Sequence, residues 1–299
     1  MFEAGTLWER IGAVTDRGLR SGALQPISTE CRFVQDGDIR LLVRVVENLG
    51  RKQQDSQASG DGERARRRNP FLPYDVDLYV ADASKTHVCL LNKFNVVDRH
   101  LLIVTRRFEQ QESALTLQDF DALSRCMVEY DGLGFYNSGT IAGASQLHKH
   151  LQFVPLPFLP EGPRTPIEPL VAAEAPQNGV GYAPSLTFRH ALIRLDANDM
   201  AQPPTAAVVM LKAYRSLLQT LGIQWPSDER QTITKPYNLL TTREWMMMVP
   251  RTRECFESIS FNSLAFVGAL LVRCREEMEL LETAGPMQAL RSVTLNSTT

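Results

Sequence analysis

An α+β fold is predicted by three features of the sequence. Short β-like runs cluster between residues 77 and 105, stretches with the 3.6-residue apolar period stand apart from them at 116–130 and 205–221, and no repeat of fixed period is present. With 299 residues, 43% hydrophobic and 22% charged, the chain has the length of one large domain or two small ones and can bury a full core.

Leu7, Ile11, Val14 and Leu19 lie at helical spacing and predict an amphipathic opening helix. Residues 39–46 read as a strand. From 51 to 68 the chain is rich in Gln, Ser, Gly, Asp and Arg and nearly free of apolar residues, the composition of a mobile loop, set at 53–68. Neighbouring strands are expected at 77–81, 86–91 and 101–105. Leu117, Phe120, Leu123 and Met127 then mark a helix over 116–130, with Thr116 as its N-cap and Asp119 and Asp121 in the first turn, where the helix dipole favours acids. A short strand at 133–136, a small-residue loop at 137–146 and a strand at 150–154 follow. Proline and alanine dominate 155–184, a connector with one short helix at 166–173. The second half reads as a strand at 186–195, a helix at 205–221, strands at 237–241 and 244–249, and helices at 276–283 and 287–293. The Met246-Met247-Met248 run beside Trp245 fits strand core.

A formal charge of −2 and a pI near 6.2 give no general attraction to nucleic acid or anionic membranes, so an anionic substrate must be met by local positive groups. The basic run Arg64, Arg66, Arg67 and Arg68 lacks aromatic interleaving and reads as a solvated loop. Five cysteines without a C-x-x-C pair fit reduced thiols in a cytoplasmic protein. The chain shows no secretory signal pattern, and no apolar stretch approaches the roughly 18 residues of a membrane span. The expectation is a soluble, cytoplasmic monomer with no nucleic-acid or membrane partner.

On a strand, residues two apart share a face, so His148, His150 and Gln152 point one way and Lys149 and Leu151 the other. The preceding loop, Asn137 to Gln146, carries two glycines and several small residues, which lets backbone N–H groups approach a phosphate. Two other readings stay open on these residues alone. The histidines could be metal ligands completed by His87, His100 or His190, although no cysteine lies in the segment and zinc needs three or four ligands. They could also be core histidines satisfied by internal hydrogen bonds.

Asn137, the Gly143-Ala144-Ser145 step and His148-x-His150-x-Gln152 resemble the active-site signature of the histidine-triad superfamily, in the transferase branch where Gln replaces the third histidine. LNKFNVVDRHLLIVTRRFEQQ at 91–111, KPYNLLTTREWMMMVPR at 235–251 and ISFNSLAFVGALLV at 259–272, with NPFLPYD at 69–75, resemble one family in that branch, the diadenosine tetraphosphate phosphorylases (ATP adenylyltransferases). Leu147 departs from the family, which has proline there, as does the long basic loop after Lys52.

The resemblance implies a histidine-triad-like antiparallel sheet flanked by helices, carried by an N-terminal region over 1–160. A C-terminal region over 161–299 adds strands and helices and packs with it as one catalytic unit. It implies that His150 attacks the α-phosphorus of diadenosine tetraphosphate and holds an adenylyl group that inorganic phosphate resolves, with ATP and ADP as products. His148 and Gln152 complete the catalytic set. Arg51 and Lys52 would lie near the polyphosphate, Asn92 on the ribose-binding strand, and Asn137, Gly143, Ala144 and Ser145 at the α-phosphate. Thr242 and Arg251 would be substrate residues, while Lys149 is left open between the phosphates and the far face. Mg²⁺ or another divalent cation is expected with the polyphosphate, and no metal bound by the protein itself. A dinucleotide hydrolase using the same site and a non-catalytic nucleotide sensor are the competing functions. For His150, an unperturbed imidazole pKa near ~6.5 would set the acid limb of activity.

Overall fold

The computed structural model describes residues 1–46, 69–226, 232–233 and 235–294. The expected loop at 53–68, with Arg51, Lys52 and the arginines at 64–68, lies outside the described residues.

Helix α1 (Leu7–Ser21) buries Leu7, Ile11, Val14 and Gly18. Leu19, which the apolar spacing assigned to this face, is half exposed; Gly18 takes the place, because a Cβ there would stand 2.9 Å from the Cβ of Leu24. β1 (Thr29–Asp36) and β2 (Ile39–Val46) form an antiparallel hairpin turned at Gly37, whose φ is +57°. Only β2 was expected. β1 is mostly exposed, so its sequence, TECRFVQD, has no alternating apolar face to read.

The main sheet is built from β3 (Tyr79–Asp82), β4 (His87–Leu91), β5 (Leu101–Thr105), β6 (Gly132–Asn137), β7 (His150–Pro155), β8 (Val180–Gly181), β9 (Ala191–Arg194), β10 (Tyr237–Thr241) and β11 (Trp245–Pro250). Its order is β3-β4-β5-β7-β6-β10-β11-β9-β8, and every pairing is antiparallel. Because β6 pairs with β10, the sheet passes without a break from the first half of the chain into the second.

Helices α2 (Leu117–Met127) and α4 (Pro203–Thr220), with α1, cover one face, burying Phe120, Leu123, Met210 and Leu217 against Ile103, Leu151, Phe153, Tyr136 and Met248. At the start of α2 the Asp119 carboxylate accepts the backbone N–H of the N-cap Thr116 at 2.7 Å. The other face packs Leu133, Phe135, Val154, Leu240 and Met247 against β2 and the C-terminal segments. These segments include the short hairpin β12 (Cys255–Phe256) and β13 (Ile259–Ser260), β14 (Ala269–Val272), α5 (Arg275–Ala284) and α6 (Pro286–Ser292). β14 runs parallel to β2 and completes a three-stranded sheet with it and β1. The methionine run of β11 is strand core, as expected, with all three residues fully buried.

The connector carries one short helix, α3 (Glu168–Glu174). The strand expected at 186–195 is shortened to β9. Before it the chain folds back on itself: the Ala183 N–H donates to His190 Nε2 at 2.9 Å, and His190 Nδ1 donates to the Phe188 carbonyl at 2.9 Å, bonds that replace a strand ladder.

Candidate active site

β7 puts His150 and Gln152 on the sheet face away from α1, α2 and α4, opposite Val104 and Leu102 of β5. Both line a cavity of about 1120 Å³ that also touches Asn69, Phe71, Asn92, His100, Asn137, Gly143, Ser145 and Gln146. That volume is above the roughly 300–1,000 Å³ common for small-molecule sites.

His150 Nδ1 stands 2.8 Å from the carbonyl oxygen of His148. A carbonyl only accepts, so the proton is on Nδ1 and Nε2 carries the lone pair. Burial lowers the His150 pKa to about 4, against a smaller upward pull from the His148 carbonyl, so the ring is neutral at physiological pH. The Phe71 ring packs 5.3 Å from it, centroid to centroid.

His148 is engaged on both nitrogens. Its Nε2 lies 2.8 Å from the Thr105 carbonyl and 3.1 Å from that of Arg107, which makes Nε2 the donor. Nδ1 then accepts from Asn69 Nδ2 at 3.0 Å, an orientation fixed because Asn69 Oδ1 accepts the Phe71 N–H. His148 therefore shapes the backbone that orients His150 and has no nitrogen left for a metal or substrate.

A second chain of bonds fixes Gln152. Asn92 Oδ1 accepts the Phe94 N–H, Asn92 Nδ2 faces His100 Nδ1 at 3.2 Å, and His100 Nε2 faces Gln152 Oε1 at 2.9 Å. His100 thus donates from Nε2, and the Gln152 NH2 is the end left without a partner among the described residues. Burial brings His100 down to about 4, so it stays neutral as well.

Gln111, wholly buried, sits where the next rung of β6 and β7 would form. Its Oε1 accepts the His150 N–H at 2.9 Å and its Nε2 donates to the Asn137 carbonyl at 2.9 Å. The small-residue loop after Asn137 and the His150 strand are therefore bridged by one side-chain amide. In the loop, Gly143 has φ +86°, and a Cβ there would stand 2.7 Å from the Phe261 carbonyl oxygen, so only glycine fits. Ala144 is buried beside it, while Ser145 is exposed to the cavity.

Residues 1–173 match the Ap4A phosphorylase N-terminal domain, and residues 184–296 match the ATP adenylyltransferase C-terminal domain. The chain belongs to the Ap4A phosphorylase family. It is an enzyme of the nucleotidyltransferase type. Among its relatives, the Saccharomyces cerevisiae protein named diadenosine 5',5'''-P1,P4-tetraphosphate phosphorylase 2 is 31% identical over 245 residues, covering 73% of this chain and 72% of that one. Protein APA1 of the same yeast is 28% identical over 218 residues, covering 64% and 62%. The crystal structure of yeast Ap4A phosphorylase Apa2 in complex with AMP superposes over 100% of both chains with a TM-score of 0.76 and 25% identity. Its complex with Ap4A gives 0.78 and 24%.

Within this family framework, two expected positions, Thr242 and Arg251, fall away from the cavity, and Lys149, which the sequence left open, falls on the far face. Thr242 is buried in the β10–β11 turn, its hydroxyl accepting the Glu244 N–H at 3.1 Å, at the far end of the sheet from Asn137. Arg251 is buried and all five of its N–H groups are taken: Nε by Val293, Nη1 by Asn238 Oδ1 and Phe261, and Nη2 by Arg253 and Glu254. No donor of Arg251 is left for a substrate, although burial lowers its pKa only to about 10 and it keeps its charge. Lys149 is fully buried on the helix-covered face, bonded to Asp119 at 2.8 Å and to the Ala114 carbonyl at 2.9 Å, not to the cavity.

The sequence reading missed Asn238, Ser263, Gln111 and the cavity cations Arg44 and Lys93, and it named His100 only as a possible metal ligand, not as the partner of Gln152. Asn238 and His100 had a readable signal. Each is a polar residue beside or within an otherwise apolar strand run, where a buried hydrogen-bond network is the usual reason.

Proposed function

We propose that the chain cleaves diadenosine 5',5'''-P1,P4-tetraphosphate with inorganic phosphate, giving ATP and ADP through an adenylyl group carried on His150. The observation that carries this reading is the His150 tautomer, with Nδ1–H on the His148 carbonyl and the Nε2 lone pair free at the cavity wall.

In the first displacement the Nε2 lone pair forms an N–P bond to the α-phosphorus while the P–O bond to the remaining phosphates breaks, and ATP leaves. The imidazole becomes cationic, and its Nδ1–H to the His148 carbonyl stabilises that charge. In the second displacement an oxygen of inorganic phosphate attacks the same phosphorus. The N–P bond breaks, ADP leaves and the electron pair returns to Nε2. Gln152 and Asn137 supply N–H donors to the non-bridging oxygens. An amide has no titrating proton, so Gln152 gives water no general base, which favours phosphate as the acceptor.

Arg44 and Lys93 are the positively charged side chains lining the cavity among the described residues, and they are the local cations that a polyphosphate requires. A divalent cation belongs with the substrate, on its phosphate oxygens. Among the described residues no group of three or more His, Cys, Asp or Glu side chains is placed to hold a metal. The monomer is the proposed catalytic unit. The cytoplasm is its proposed compartment, consistent with five unpaired cysteines and with no helix long and apolar enough to cross a membrane among the described residues.

The test is incubation with and without phosphate. ATP plus ADP formed only with phosphate supports phosphorolysis, and ATP plus AMP formed regardless of phosphate refutes it. Substrate labelled at the α-phosphorus, quenched in alkaline denaturant because the P–N bond is acid-labile, is expected to label the wild type and not His150→Ala.

A further inference from the structure

Asn137 lies in the first half of the chain, but its amide is oriented from the second. Asn137 Oδ1 accepts three hydrogen bonds: from Asn238 Nδ2 at 2.8 Å, the Ser263 N–H at 3.0 Å and the Ser263 hydroxyl at 2.6 Å. Asn238 is itself fixed. Its Oδ1 accepts from Arg251 Nη1 at 2.8 Å, so Nδ2 must be the end that faces Asn137 and the carbonyl of Ala142, 2.8 Å away in the phosphate loop. Arg251 is held in turn by the carbonyls of Phe261, Arg253, Glu254 and Val293. Asn238 and Ser263 are fully buried.

An asparagine amide has two orientations of nearly equal shape and opposite polarity. With its oxygen toward the cavity, Asn137 would repel phosphoryl oxygens; with its NH2 toward the cavity it binds them. Three donors converging on Oδ1 choose the second orientation before any ligand arrives. Such preorganised donors cost no reorientation as charge develops.

We propose that Asn238 and Ser263, locked by Arg251, are positioning residues for adenylyl transfer: they hold the acceptor end of the Asn137 amide away from the cavity so that its NH2 meets the phosphoryl oxygens. This inference rests on the adenylyl-transfer reading of the site. It also gives Asn238 and Ser263 of the C-terminal half a part in the chemistry without contact with the substrate, and it assigns Arg251 a role two residues removed from the phosphate.

Asn238→Asp separates positioning from folding. The near-isosteric carboxylate keeps Arg251 as its partner, in a stronger charge-assisted bond. It has no N–H for Asn137 or Ala142, and it places a charged acceptor against Asn137 Oδ1. The thermal midpoint is expected to stay within a few degrees of wild type, while kcat/KM falls about 10- to 100-fold. Asn137→Ala is expected to cause a similar loss, and combining the two to add no more than about twofold, because the first acts through the second. Additive losses, or wild-type kcat/KM in folded Asn238→Asp, would overturn the proposal. If Asn238→Asp does not fold, the cycle of Ser263→Ala with Asn137→Ala replaces it, and independent effects there refute it. The same cycles are read in AMP affinity by calorimetry. Coupling in AMP binding then stands or fails on its own, whatever acceptor the wild-type enzyme uses.

Discussion

The ammonium of Lys149 lies 2.8 Å from the Asp119 carboxylate, on the opposite side of the sheet from the next residue in sequence, His150. The pair is wholly buried, and His87 Nε2 sits 3.1 Å from the same carboxylate. Burial alone would raise the Asp119 pKa, but Lys149 and His87 outweigh it and hold the carboxyl well below the usual range. The network anchors β7 to α2 directly behind the proposed nucleophile.

Lys149→Ala takes the ammonium from the buried Asp119 carboxylate and leaves it the hydrogen bonds of His87 and Thr116, and a loss of about 3–5 kcal/mol is expected in urea unfolding. Lys149→Met restores the volume but not the ammonium, so it is expected to keep most of that loss and to recover only the part due to the cavity. If the network is scaffold, folded Lys149→Met keeps its KM for diadenosine tetraphosphate within about twofold of wild type. A KM rise of tenfold or more would return Lys149 to the phosphates.

The pH dependence follows from the buried imidazoles. The neutral ring is the nucleophile, and a pKa lowered to about 4 keeps it neutral well below the ~6.5 of an unperturbed histidine. The single-turnover rate of adenylylation is therefore expected to be flat from pH 8 to 5 and to fall near pH 4. This corrects the limb near 6.5 expected from sequence. Stability moves earlier. Between pH 6.5 and 4 the unfolded chain protonates His150 and His100 while the folded chain does not, so each contributes a loss of up to about 1.4 kcal/mol per pH unit as pH falls. A thermal midpoint that is constant over this window would contradict the burial of both rings.

Elements with an apolar run or an apolar stripe were legible: β2, β5 and β10 were read at their observed bounds, and α2 was read with its Thr116 cap. β1 was not, because an exposed edge strand leaves no periodic trace. Within the site, spacing put His150 and Gln152 on one face, while Asn137, Gly143 and Ser145 were picked out by the resemblance of their stretch to a family signature; all five line the cavity. Asn238 and Ser263 are 101 and 126 residues from Asn137 and meet it only through the β6–β10 pairing and the turn before β14. Arg251 was legible as a polar residue of note, but not as one whose donors are all used inside the protein.

Gln152 tests the choice of acceptor. His100 aims its NH2, and that amide offers no base to water. Gln152→His introduces a titrating ring at the same place, and phosphate-independent release of AMP is expected to rise relative to ADP. His100→Leu leaves Gln152 free to turn and should slow adenylylation about tenfold. In a Gln152→Ala background it should do little more. An unchanged AMP to ADP ratio in folded Gln152→His would remove Gln152 from acceptor control.

Arg44 is expected to meet the distal phosphates. It stands on β2, whose Leu41 and Val43 face the core, and among the described residues its guanidinium has one weak side-chain contact, Thr29 Oγ1 at 3.5 Å, while it also lines the cavity. A charge-assisted bond to phosphate is worth about 1.5–3 kcal/mol, or roughly 10- to 100-fold in affinity. Arg44→Gln is therefore expected to raise the KM for diadenosine tetraphosphate by about tenfold or more, and Arg44→Lys by less because a point charge replaces the planar fork. AMP carries only the phosphate that His150 attacks, so its affinity should change less than about twofold in Arg44→Gln. Equal losses for AMP and the tetraphosphate would place Arg44 at the reacting phosphate instead, and no loss for either would remove Arg44 from phosphate binding.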